Sequence, residues 1–285
     1  MTALMVFRNY LEVLKPRETL LLGFIGLCSA IIAADGNLSP STLVLATVTI
    51  TIASGGANGL TNYLDREIDA RMSRTKKRVF PTKRIHPPQK AIPWIIGWII
   101  AGLILAWVLH PWAFVADLIG TVAAGVYRKR AICVFPQGAI ASCAPVVMGW
   151  FAVTDTASWE LGLLCLLIVV WLPLHVWSVM VSHRDDYLQA GLKFFPMNVS
   201  VGLVTSILLV FALVLNIVAL SFGFVARLGI LYNFFALGLG LLMLYSSARL
   251  VATSASSQAA WRLYKLSSFP YLGLMFFAAA LSVLL

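Results

Sequence analysis

Short polar breaks divide the chain into nine apolar runs, at approximately residues 19–34, 42–64, 92–109, 112–127, 132–152, 161–182, 199–222, 229–248 and 268–285. A helix needs about 20 mostly apolar residues to cross a bilayer, and lipid offers no partner for an unpaired backbone group. Repeated runs of this length therefore leave one architecture open, an all-α polytopic membrane protein of about nine transmembrane helices. A soluble fold is excluded by composition, since 60% of the 285 residues are hydrophobic and only 11% charged. The rule of one domain per 100 to 200 residues applies poorly to spanning helices that share one bundle, so residues 1–285 are expected to form a single transmembrane domain.

The net charge of +10 reads as orientation rather than nucleic-acid binding. When the breaks are assigned alternately to two sides, one side collects Arg8, Lys15 and Arg17; the dense group from Arg66 to Lys90; Arg128, Lys129 and Arg130; Arg184 and Lys193; and Arg249, Arg262 and Lys265. That side holds 20 of the 21 cations, and Arg227 alone falls on the other. The positive-inside rule then predicts a cytoplasmic N-terminus and an outer C-terminus. The first apolar run follows three cations without a small-residue cleavage site, so it is expected to remain as a spanning helix. Cys28, Cys133, Cys143 and Cys165 form no CxxC or Cys/His pattern, which argues against a disulfide framework or a zinc site.

Polar residues concentrate at the end of the second run, in "ANGLTNYLDREIDARMSRTKKR" (57–78). On a helix at 100° per residue, with Asn62 at zero, Asn58 falls at about 320°, Asp65 at about 300° and Asp69 at about 340°. The four share an arc of about 60°, whereas Glu67 points away. Two carboxylates one turn apart with amides above them form an all-oxygen surface of the kind that suits Mg²⁺ shared with a substrate phosphate. On an arbitrary juxtamembrane helix such acids would be solvated and paired with Arg66 or Arg71. Three features favour a site instead. The Asn pair carries polarity two turns into an apolar helix; Gly55, Gly56 and Gly59 permit close helix approach beside it; and a second acidic pair, Asp185 and Asp186, lies on the same side in "WLPLHVWSVMVSHRDDYLQAGLKFFPM" (171–197). These two polar segments lie about four helices apart, as expected for two bundle halves facing one site.

His175 lies in the sixth run beside Pro173, Trp171 and Trp177. Two readings stand: a neutral ring bonded to a carbonyl freed by the proline, or a base or iron ligand. Asp117, near the outer end of the fourth run, and Asp35, His86 and His110 read as interfacial or loop residues.

The segment "GANGLTNYLDREIDARMSRTKKR", with "MGWFAVTD" (148–155), "WLPLHVWS…RDDYLQAGLKFFPM" and "LYKLSSFPYLGLMF" (263–276), resembles the UbiA-type intramembrane prenyltransferases over about residues 15–280. Within that family it is most similar to the branch that farnesylates haem. Thr61 stands where the family commonly has Asn, Val79 and Leu174 replace prolines, and the loop around "YRKR" (127–130) looks shorter.

The resemblance implies a helical bundle around a central prenyl-substrate cavity that opens near the cytoplasmic side of a prokaryotic plasma membrane. It implies transfer of a farnesyl group from farnesyl diphosphate to a vinyl group of haem B, the haem being substrate rather than cofactor. Asn58, Asn62, Asp65 and Asp69 would hold one Mg²⁺, and Asp185 with Asp186 a second. Arg74, Lys76, Arg78, Arg128 and Lys129, together with Asn58 and Asn62, would contact diphosphate, and His175 would act at the haem. Membrane lipids and a haem A synthase or terminal oxidase assembly are the further partners implied, and no nucleic acid.

Alternatives remain open from the residues themselves. A sibling enzyme with a quinone-precursor or chlorin acceptor would keep the metal face. A cation-coupled transporter would place its acids at mid-membrane on broken helices, whereas these lie at the edge beside dense positive charge. A structural oxidase subunit gives no reason for two acidic clusters.

Overall fold

The computed structural model describes residues 2–126 and 134–285. Arg128 and Lys129 lie outside the described residues. The expected all-α architecture is borne out, with no strand among the described residues. The helices are α1 (Ala3–Val13), α2 (Pro16–Ala33), α3 (Pro40–Leu64), α4 (Arg66–Arg71), α5 (Ile92–Leu109), α6 (Pro111–Gly125), α7 (Gln137–Phe151), α8 (Trp159–Ser182), α9 (Arg184–Gln189), α10 (Val201–Val225), α11 (Ile230–Ala252), α12 (Ser257–Leu266) and α13 (Leu272–Leu284). Each of the nine apolar runs meets a helix. Seven helical segments among the described residues are long and apolar enough to cross a membrane, while α6 is apolar but shorter.

Local chemistry sets the starts. Ser39 caps α3 by accepting from Thr42 N at 3.1 Å, and Ser200 caps α10 by accepting from Leu203 N at 3.3 Å. Pro16, Pro40 and Pro111 occupy first helical positions, where a missing N–H costs nothing.

The helices pack in a closed circuit. In chain order α2, α3, α5, α6, α7, α8, α10, α11 and α13 each touch the next, and α13 returns to α2. Contacts of α2 with α7, and of α3 with α6, tie the first part of the circuit together across its centre. Small residues allow this, since a side chain on Gly56 would strike the Ile99 backbone, and one on Gly102 the Ala53 backbone.

The sequence reading did not anticipate α1. Leu4, Val6 and Phe7 are exposed on this helix, whereas its end is buried at Val13. A two-pronged ion pair joins Arg84 to Glu12, at 2.5 Å (Nη1 to Oε2) and 2.6 Å (Nη2 to Oε1), and Trp94 Nε1 donates to Tyr10 O at 3.1 Å. The ion pair fastens the cation-rich segment 72–91 against α1, and the Trp94 bond fastens the start of α5 to the same helix.

Candidate active site

The sequence treats residues 57–71 as one helix; the structure interrupts it at Asp65, which ends α3 and begins α4. The hydrogen-bond ladder nevertheless runs through the break, from Asp65 N to Thr61 O at 3.0 Å and from Asp69 N to Asp65 O at 2.9 Å. Asp65 and Asp69 therefore remain one turn apart, and both are buried, at 2% and 0% exposure.

Their surroundings are organised by neighbouring segments. Arg78 Nη1 donates to Asp69 Oδ2 at 2.6 Å, and Thr75 Oγ1 donates to Asp69 O at 3.0 Å, so segment 75–78 folds back over α4. Asn62 Nδ2 donates to Val13 O at 2.9 Å, while the buried Asn62 Oδ1 has no hydrogen-bond partner. Asn58 Nδ2 donates to Thr19 Oγ1 at 3.0 Å. Thr61 Oγ1 donates to Asn58 O at 2.9 Å and accepts from Lys15 Nζ at 2.8 Å. The hydroxyl that replaces the family's usual amide thus positions a lysine.

Two adjoining chambers open beneath these residues. A polar one of about 250 Å³ is lined by Lys15, Asp65, Arg74, Arg78, Tyr187 and Tyr264. A mainly apolar one of about 290 Å³ reaches inward past Asn58, Met148, Ile168, Trp171 and Leu272. Glu18, Ser142, Leu172, His175 and Val176 line both. Arg74, which lines the polar chamber, keeps its Nε buried without a partner.

Residues 21–279 match the UbiA prenyltransferase family. The chain belongs to that family. The protoheme IX farnesyltransferase of Desulforudis audaxviator (strain MP104C) is 31% identical over 284 residues, covering 97% of this chain and 88% of that protein. Among solved structures, one of a digeranylgeranylglyceryl phosphate synthase matches with a TM-score of 0.77 and 15% identity, over 98% of this chain and 99% of that one. A UbiA homolog from Archaeoglobus fulgidus bound to DMAPP and Mg²⁺ matches with a TM-score of 0.71 and 15% identity, over 97% and 99% of the two chains. At such identities the structures establish the fold.

The UbiA bundle brings only part of the expected set together. Asp65, Arg74, Arg78 and His175 share the polar chamber, and Asn58 lines the apolar one. Lys76 is exposed and lines neither. Asp185 is exposed, and with Asp186 it borders a separate surface pocket that includes His183, Arg184 and Ser254. Asp186 Oδ1 accepts from Ser73 N at 2.9 Å, and Oδ2 accepts from Ser73 Oγ at 2.7 Å and Arg74 N at 3.3 Å. Partial burial acts to raise its pKa, but these hydrogen bonds and nearby His183 outweigh that and hold the carboxyl below its usual range.

No three His, Cys, Asp or Glu side chains converge among the described residues. A divalent ion on the Asp65 and Asp69 face would therefore rely on amide oxygen, water and substrate oxygen. The orphaned Asn62 Oδ1 is the kind of group such an ion satisfies, so these residues fit Mg²⁺. Asp185 lies exposed outside both chambers, and both Asp186 oxygens accept hydrogen bonds from the 73–74 backbone and hydroxyl, so these two carboxylates stand apart from the Asp65 and Asp69 face.

His175 is held between Trp171 and Tyr264, each with a ring centroid 4.8 Å away. Its Nδ1 lies 3.2 Å from Ser267 Oγ, which donates its own proton to Tyr264 O at 2.9 Å. Ser267 can then only accept from His175, which selects the Nδ1–H tautomer and leaves Nε2 with a lone pair. Neither sequence alternative for this residue foresaw a hydroxyl 92 positions away as its partner.

Lys15 and Glu18 are chamber residues that the sequence reading missed. Their signal was a cation just before Pro16 and an acid two residues after it, at the start of an apolar helix.

Proposed function

We propose that this protein transfers a farnesyl group from farnesyl diphosphate to a vinyl group of haem B, with water supplying the hydroxyl of the haem O product. The observation that carries this reading is the join between a cationic chamber and an apolar one, with His175 on the wall they share. It gives an amphiphilic donor one place for its diphosphate and another for its chain. The family membership and the name of the 31% identical relative support the choice of donor and acceptor.

Heterolysis of the allylic C–O bond leaves charge on diphosphate, and stabilising that charge is the principal demand on the site. Lys15, Arg74 and Arg78 provide it from the chain, all three lining the polar chamber. Asp65, Asp69 and the amide oxygens of Asn62 and Asn58 would hold one Mg²⁺, which when bound supplies further positive charge to the departing diphosphate. Glu18, Ser142 and His175 surround the position where the allylic carbon passes from polar to apolar space. The apolar wall of Met148, Ile168 and Leu272 keeps water from that carbon until the acceptor reaches it. His175, on the wall the two chambers share, would act at the acceptor as base or iron ligand. In the membrane the chain crosses nine times, with its cation-rich side and the polar chamber toward the cytoplasm.

The test is incubation of membranes carrying the protein with haem B, farnesyl diphosphate and Mg²⁺, followed by chromatography and mass analysis. Haem O is expected, and chelation of divalent ions should reduce its formation at least 100-fold. Absence of haem O from a folded, donor-binding sample, or product from an aromatic acceptor in its place, overturns the reading. Lys15→Met should raise the donor KM about tenfold with little change in kcat, as expected when a charge-assisted contact made equally in ground and transition states is lost. An unchanged KM would remove Lys15 from the diphosphate site.

A further inference from the structure

The second acidic segment makes its contacts with another loop. The chain turns sharply at residues 72–75, with Met72 buried beneath and Ser73 exposed. One side of the turn is held by Asp186, through Ser73 N, Ser73 Oγ and Arg74 N. The other side is held by Asp69, through Thr75 Oγ1 to its carbonyl and Arg78 to its carboxylate. Ser73 to Arg78 is thus a strap between the two acidic motifs, and the strap carries the two arginines that line the polar chamber.

The anchor on the α9 side is itself secured. Arg184 donates from Nη1 to Pro196 O at 3.2 Å, and from Nη2 to Met197 O at 2.9 Å and Val199 O at 3.0 Å. Tyr187, buried on the same short helix, accepts from Arg74 Nη2 through its hydroxyl at 3.5 Å. Asp186 therefore stands on fixed backbone, and its carboxylate binds two successive N–H groups and a hydroxyl, an arrangement that sets the direction of the following side chain. Charge-assisted bonds of this sort are about twice as strong as neutral ones.

We propose that Asp186 is a positioning residue. It holds the Ser73–Arg74 turn so that Arg74 and Arg78 stand over the polar chamber before a donor arrives, and it does not ligate a second metal ion. This rests on the reading above only in taking the donor to be a diphosphate. Its benefit is pre-organisation: a strap already ordered loses less freedom when the anion binds.

Two measurements test it. The first needs neither substrate nor metal. Purified protein in detergent with a chelator is treated with trypsin, and cleavage after Arg74, Lys76 and Lys77 is followed. Asp186→Ala should be cut about tenfold faster than wild type, Ser73→Ala about threefold faster, and Asp185→Ala at the wild-type rate. Unchanged cleavage of Asp186→Ala overturns the proposal. Should that variant not accumulate in folded form, Ser73→Ala decides, and unchanged cleavage there overturns it too.

The second is kinetic. Asp186→Ala should raise the donor KM about tenfold while kcat falls less than threefold and the Mg²⁺ half-saturation stays unchanged. Asp186→Asn, which keeps an acceptor oxygen, should recover part of the loss. The double variant with Ser73→Ala should be no worse than Asp186→Ala alone, since both remove one contact. A tenfold rise in Mg²⁺ half-saturation, or full additivity with Ser73→Ala, makes Asp186 a metal ligand and overturns the proposal. Because the proteolysis arm involves no substrate, it stands or falls separately from the assignment of donor and acceptor.

Discussion

Converting both Asp65 and Asp69 to Asn is expected to lower prenyl transfer by about 1,000-fold, the upper end of the loss on removing a principal electrostatic stabiliser at a reacting centre. Asn is nearly isosteric and retains an oxygen, so what is removed is negative charge on the face that would hold Mg²⁺. The single variants should not be equivalent. Asp65→Asn is expected to cost about 100-fold in kcat and to raise the Mg²⁺ requirement, with little change in stability. Asp69→Asn also breaks the 2.6 Å pair with Arg78. Asp69 is fully buried, but the Arg78 side chain is 28% exposed, so that loss is discounted to about 1–2 kcal/mol. A lower thermal midpoint in detergent should accompany it. The two losses should combine to less than their product, because both carboxylates serve one face. Product formation undiminished in the double variant, in a sample that still binds donor, would remove this face from the reaction.

The sequence exposed what depends on local periodicity. Apolar runs separated by polar breaks give an all-α polytopic fold directly, and helical spacing singles out Asn58, Asn62, Asp65 and Asp69 as candidates, of which Asp65 lines the polar chamber and Asn58 the apolar one. The break at Asp65 was not visible, because no Pro or Gly marks it and the hydrogen-bond ladder passes through it. Lys15 was read as an orienting charge, since a lone cation before a spanning helix is ordinarily an interfacial anchor. Only folding brings it within 2.8 Å of Thr61.

Asp186 illustrates a different limit. Its partners are two backbone N–H groups and a serine hydroxyl 112 to 113 residues away. A bond to backbone leaves no mark on the identity of the partner residue, so "RDDY" could be read only through its acids. The family resemblance reinforced that reading by supplying a metal role for the same carboxylates. The order of helices around the circuit was likewise hidden, because helices that are apolar all round carry no periodic sign of which face meets a neighbour.

The wall of the apolar chamber depends on a contact in which there is no room for a methyl group. A Cβ on Gly149 of α7 would stand 2.0 Å from the carbonyl oxygen of Gly26 on α2 and 2.8 Å from its carbonyl carbon. These are backbone atoms, which cannot rotate aside as a side chain can, so Gly149→Ala must separate or tilt the two helices. Beside it, Ser29 Oγ donates to Val146 O at 2.8 Å across the same pair, and separation would stretch that bond as well. Ile25, Pro145 and Met148, from these two helices, line the chamber, so the distortion reaches the substrate space. Overpacking a well-filled contact costs about 1–3 kcal/mol, and a clash of backbone against backbone falls at the upper end. Gly149→Ala is therefore expected to lose about 3 kcal/mol of stability, read as a lower thermal midpoint in detergent, and to weaken donor binding. Gly97→Ala is the matched control: it also lies in a helix, nothing stands within 4 Å of its Cβ position, and replacing helical Gly by Ala is favourable by about 0.5–1 kcal/mol. If the two variants melt together, close approach of α2 and α7 is not what holds this part of the circuit; if only Gly149→Ala falls, the shape of the prenyl chamber is set by backbone contact between those helices.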